Sequence, residues 1–173
     1  MMNNCIAEPT SRYEIRRITR FIRRSLGLID FIRVPVVELL DILTKVCDFN
    51  YEIVANNYLP KQIYATTDVS TKTIKIKEFV YNKAIKGDGF ARFTIAHELG
   101  HYFMLCFFGY AFTKNITGKP VPVFQDPEWQ ADCFAGEFLM SYDLVKDYSV
   151  EDLIKKCNVS KKAANCQYKA FRK

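Results

Sequence analysis

The chain has 173 residues and a mass of 20.1 kDa, with 49% hydrophobic and 25% charged residues and only 7 Gly and 6 Pro. That size suits one domain, or one with a small appendage, and the composition excludes collagen-like, low-complexity and wholly disordered chains. The net charge of +6 is gathered at the two ends, with six arginines against one glutamate in residues 12–24 and seven basic against two acidic groups in residues 151–173. No apolar run approaches the roughly 18–20 residues of a bilayer span, and residues 1–10 lack a basic-then-apolar leader, so a cytoplasmic protein with no membrane partner is expected. The six cysteines form no C-x-x-C pair and are expected to be reduced and mostly buried.

In chain order, Ile15, Ile18, Ile22, Leu26 and Ile29 recur at steps of three and four, which predicts an amphipathic helix over 12–29 with the arginines opposite. That basic face reads first as a solvated surface and second as a contact for a partner, nucleic acid or membrane. A second helix is predicted from Pro35, with Val37, Leu40, Leu43 and Cys47 on one face, ending near Asn50. Short β-rich runs follow at Tyr51–Ala55, Gln62–Thr67 and Thr73–Phe79, separated by turn formers. In the last run Ile74 and Ile76 alternate with Lys75 and Lys77, which predicts a half-exposed edge strand able to hold an extended peptide.

The apolar stretch Phe90–Phe108 predicts a central buried helix, and residues 113–127 read as a loop. Asp126 and Pro127 predict the cap and first position of a helix running to about Met140. Ser149 and Ser160 are candidate caps for two short helices over about 150–157 and 161–171. Their connecting turn, with Asn165 and Gln167 on the second helix, faintly suggests a helix-turn-helix, but a packed hairpin with solvated lysines is the simpler account.

The central helix carries His97-Glu98-Leu99-Gly100-His101, an H-E-x-x-H pattern. Histidines four apart lie one turn distant on one helical face, so both imidazoles reach a single ion, with the intervening Glu beside it. These are the only two histidines in the chain, so a third ligand has to be Asp, Glu or Cys. Glu128, in the first turn of the next helix, is the best supplier, because the helix dipole favours an ionised carboxylate there. Asp132, four residues on, could accept the free ring N–H of a ligating histidine, while Cys133 is a rival ligand that reads more simply as core.

Arg92 to His101, Glu128 to Ala135 and the Leu139-Met140 pair together resemble the ImmA/IrrE family of zinc-dependent metallopeptidases, over about 150 residues. The resemblance implies one zinc ion per chain on His97, His101 and Glu128, with Glu98 as general base. It also implies an α+β, zincin-like single domain, a small antiparallel or mixed sheet packed on helices around the HExxH helix. The domain is expected to span 1–148, with a helical hairpin over 149–173 packed on it or appended. One departure is Ser141, where the family usually has proline. The chain is similar to the compact, mobile-element type, for which the resemblance implies cleavage of a helix-turn-helix repressor, with nucleic acid the less favoured partner. Two other readings stand beside the peptidase. One is a non-hydrolytic zinc module that captures a repressor or antitoxin, and the other a transcription regulator whose basic helices bind DNA. Tyr102 is a weak candidate for steadying the oxyanion.

Overall fold

The computed structural model describes residues 5–109, 113–114 and 120–172, so part of the loop expected over 113–127 lies outside the described residues. Helix α1 spans Arg12–Ser25 and opens on a reciprocal cap, in which Ser11 accepts from the Glu14 N–H and the Glu14 carboxylate accepts from the Ser11 N–H at 2.8 Å. It stops short of the predicted Ile29 because Gly27 takes φ +69° and Leu28 N–H folds back onto Arg23 O at 2.7 Å. Helix α2, Val36–Val46, buries Val36, Leu39, Leu40 and Leu43, a face rotated from the predicted one, and Cys47 is left exposed. It cannot run to Asn50, since that residue already pairs with Thr73 in the sheet.

Strands β2 (Asn50–Val54), β3 (Ala65–Asp68) and β4 (Thr73–Lys77) form a mixed sheet in the order β2-β4-β3, with β2 parallel and β3 antiparallel to β4. The predicted edge strand is therefore the central one. Alternation along β4 says that one face is wetter, but strand order depends on neighbours that alternation does not encode. Lys77 is 2% exposed rather than outward-facing, with its Nζ donating to Pro60 O at 2.9 Å. The free edge next to the central helix belongs to β3.

The predicted strand also runs over into a helix that periodicity did not show, α3 (Glu78–Ile85). Helix α4, Gly89–Phe108, is capped by Asp88, whose carboxylate accepts from Ala91 N–H at 2.8 Å. A two-residue ladder pairs β1 (Cys5–Ile6) with β5 (Thr113–Lys114), which the sequence reading also missed. Helix α5, Pro127–Leu139, begins as predicted on Asp126 and Pro127. Ser141 precedes the single turn α6 (Tyr142–Val145), its carbonyl accepting from Leu144 and Val145. Helices α7 (Val150–Cys157) and α8 (Lys161–Ala170) start on Ser149 and Ser160, as expected.

One core joins these layers. Ile15 of α1, Leu40 of α2, Ile76 of β4, Leu99 of α4, Phe134 of α5 and Leu153 of α7 are all fully buried within it. The architecture is the expected α+β arrangement, a small sheet packed on helices in a zincin-like single domain. Among the described residues no helix is long and apolar enough to cross a membrane. All six cysteines are free, but only Cys133 and Cys157 are buried, whereas Cys47, Cys106 and Cys166 are exposed. The expectation of mostly buried thiols is thus corrected.

Part of the basic face of α1 is engaged within the molecule, while Arg17, Arg20 and Arg24 are exposed. Arg16 grips the buried Glu137 of α5 through Nε at 2.8 Å and Nη2 at 3.1 Å, and Arg20 pairs with Asp143. Arg23 is fully buried, donating to Phe138 O at 2.7 Å and to Phe31 O.

Candidate metal centre

Helices α4 and α5 build the centre by packing closely at Gly100. A Cβ at that position would lie 3.1 Å from Ala131 O and 3.2 Å from Ala131 Cα, so a larger residue would push the two helices a few tenths of an ångström apart. Across this contact the structure brings together His97 and His101 of α4 and Glu128 of α5, whose donor atoms all lie within 4.8 Å of one another. The two Nε2 atoms are 3.2 Å apart, and the Glu128 carboxylate oxygens lie 3.3 Å from His97 Nε2 and 3.8 Å from His101 Nε2.

Asp132 sits one turn along α5, with Oδ1 2.8 Å from His97 Nδ1. A carboxylate there only accepts, so Nδ1 carries a proton, and Nε2, once it gives up its own, turns a lone pair toward His101 and Glu128. Cys133, the rival ligand, is 1% exposed, and burial pushes its thiol up to about 12, a poor prospect for a thiolate.

The surroundings push the two imidazoles in opposite directions. Burial opposes protonation of His97, but its contacts with Asp132 and Glu128 override that and hold its pKa up to about 10. Burial and the neighbouring His97 push His101 down to about 4. One buried and one half-buried imidazole with converging Nε2 atoms and one carboxylate are a donor set for a divalent metal ion.

Glu98 lies beside this cluster, 7% exposed, and burial raises its pKa. Its Oε2 accepts from Thr67 Oγ1 at 2.7 Å, and Thr67 Oγ1 is also 3.1 Å from the Glu98 carbonyl. Thr67, on β3, is a site residue that sequence reasoning missed, since nothing local signals a contact across 31 residues. Tyr102 faces away, donating to Asp48 O at 3.1 Å.

The cluster opens on a cavity of about 560 Å³ walled by β3, α4, α5 and α8. Lys77 N–H donates to Tyr64 O at 3.1 Å, which makes that pair hydrogen-bonded in the β3–β4 ladder. In the observed register the pairs Ala65↔Ile76 and Thr67↔Ile74 are then non-bonded, so the main-chain groups of Ala65 and Thr67 point away from β4.

Among solved structures, a Mycobacterium tuberculosis transcriptional regulator is similar, with a TM-score of 0.58 and 14% identity, covering 90% of this chain and 46% of that one. The chain thus spans less than half of that regulator, and the likeness is one of fold. No curated protein matches the chain in sequence. The family described as Peptidase_M78, the IrrE N-terminal-like domain, matches residues 57–166, from the sheet through both metal-donor helices into α8. With more than half of its length matched, the chain belongs to this IrrE-like family of metallopeptidase type.

Proposed function

We propose that the chain is a zinc-dependent endopeptidase acting on a protein substrate, with a helix-turn-helix repressor as the expected target. The observation that carries this reading is the convergence of His97, His101 and Glu128 next to a buried Glu98. The donor set suits zinc, because tetrahedral ligands at about 2.0–2.1 Å place two nitrogens roughly 3.3 Å apart. The two Nε2 atoms here are separated by 3.2 Å. When bound, zinc supplies Lewis acidity at the carbonyl to be cleaved and makes water a stronger nucleophile near neutral pH.

The protein's own groups do the rest. Glu98 takes the proton of the attacking water as the oxygen adds to the carbonyl carbon, then delivers it to the amine nitrogen as the C–N bond breaks. Burial, which raises its proton affinity, suits both halves of that transfer. Thr67 holds the carboxylate in place through Oε2. Asp132 orients His97. The extended substrate lies along β3 rather than β4, hydrogen-bonded to the outward main-chain groups of Ala65 and Thr67.

A DNA-binding reading would have to rest on the exposed Arg17, Arg20 and Arg24, since Arg16 and Arg23 are engaged with Glu137 and backbone carbonyls and Arg20 is paired with Asp143. Glu98→Gln is the direct test. The variant is expected to hold about one zinc per chain by elemental analysis and to leave a co-purified repressor of the helix-turn-helix class intact on gels. Wild-type cleavage rates in that variant would refute the base assignment.

A further inference from the structure

The cavity extends well beyond the metal donors, to Arg12, Gly136 and Gln167. Glu128, Asp132 and Gly136 follow at four-residue steps along one face of α5, so the metal end and the far end lie about 12 Å apart at 1.5 Å per residue. That is the length of roughly three to four residues of extended chain.

The far end is positively charged. Arg12 and Arg16 converge on a single carboxylate, Glu137, whose side chain is fully buried, which leaves one guanidinium charge uncompensated. Arg16 spends both Nε and Nη2 on Glu137. Arg12 engages only Nη1, with Glu137 Oε1 at 3.3 Å and Gln167 Oε1 at 3.2 Å, and 31% of its side chain is exposed. Lys162 of α8 adds a second positive group to the wall.

Gln167 supplies an independent observation. It is 2% exposed, and its Nε2 is buried without an acceptor. The Arg12 donor on Oε1 fixes the amide orientation, because the flipped amide would set donor against donor. Gly136 makes the room: a Cβ there would lie 2.6 Å from Gln167 Oε1. A buried donor without a partner is uncommon and costly in a folded protein, and the residue that carries it lines the cavity beside Arg12, which has unspent donors.

We propose that Arg12 and Gln167 form a carboxylate subsite, which receives an acidic side chain of the peptide, or its terminal carboxylate, three to four residues from the bond to be cut. The inference deepens the peptidase reading and rests on it for the identity of the ligand. Binding, measured apart from cleavage, tests it. The probes are fluorescent alanine-based dodecapeptides with amidated ends, in which one Glu is walked through the chain, a matched set with Gln, and a third set with a free C-terminal carboxylate. Anisotropy titrations use the full chain carrying Glu98→Gln, loaded with zinc.

At one position Glu, or the free terminus, is expected to bind about tenfold more tightly than its neutral counterpart, as for a charge-assisted pair with Arg. The preference is expected to fall to near parity in Gln167→Met and in Arg12→Gln, with thermal melts run on each to show that it is folded. The third set decides between a side chain and a terminus as the source. No position with a carboxylate preference, or a preference that survives both substitutions, overturns the subsite. A preference that follows Gln167 while the wild type cuts nothing would sink the peptidase reading and leave the subsite standing. Cleavage without any such preference does the opposite.

Discussion

Replacing Thr67 by valine tests whether β3 sets the position of the proposed base. Valine keeps the β-branched shape that suits a strand and removes only the hydroxyl. That hydroxyl has one proton and two acceptors in reach, Glu98 Oε2 at 2.7 Å and Glu98 O at 3.1 Å, and the shorter contact takes it. A hydrogen bond to a charged group contributes about 1.5–3 kcal/mol, and the carboxylate left behind is buried. Urea unfolding of the zinc-loaded variant should therefore lose about 1–3 kcal/mol, a fall in Tm of roughly 2–12 °C for a chain of this size. Turnover should drop about tenfold or more with little change in KM, because a loosened base affects proton transfer rather than peptide docking. Thr67→Ser, which restores the hydroxyl, should recover most of both losses. Wild-type stability and wild-type turnover in the valine variant would show that Glu98 is held by its own helix alone.

Two further outcomes follow from the metal donors and their packing. Glu128→Ala should lose zinc by elemental analysis, whereas Cys133→Ala should retain it and show only a modest stability loss, on the order of 1 kcal/mol, from the small cavity left. Gly100→Ala gains about 1 kcal/mol of helix propensity but overpacks the α4–α5 contact at a cost of about 1–3 kcal/mol. Its net effect should be a destabilisation of up to roughly 2 kcal/mol with weaker zinc binding, since the neighbour that has to yield is the backbone of α5, near Glu128. Unchanged affinity in a competitive chelator titration would mean that α5 tolerates the shift.

What could be read from the sequence was what is local or periodic. His97 and His101 lie on one turn, Asp126-Pro127 starts a helix in the usual way, and Glu128 and Asp132 share a face, so these positions needed only helix geometry. The sheet order was not legible, because β2 and β4 pair in parallel across the intervening β3, and the alternation that marked β4 as a strand carries no information about its neighbours. That single gap moved the expected peptide-binding edge from β4 to β3 and hid Thr67. Gln167 was noticed for a different reason, as a possible base-contacting residue. Its packing against Gly136 and Arg12 arises between elements far apart in the chain.

The charge of α1 shows why composition alone misleads about partners. Six arginines in thirteen residues invite a nucleic-acid reading. Yet Arg16 finds a carboxylate on α5 itself, Arg20 one on the turn α6 that follows it, and Arg23 satisfies two carbonyls in the core. Arginine suits such work better than lysine, because its planar fork makes two hydrogen bonds at once and remains charged when buried. These contacts fix α1 against α5, the helix that supplies Glu128 and Asp132. The basic helix thus helps to position the candidate metal centre, and Arg12 is its arginine on the cavity wall. A charge count would weigh all six alike, whereas the surroundings of each side chain separate Arg16, Arg20 and Arg23, which tie elements together, from the exposed Arg17 and Arg24 and from Arg12 on the cavity wall.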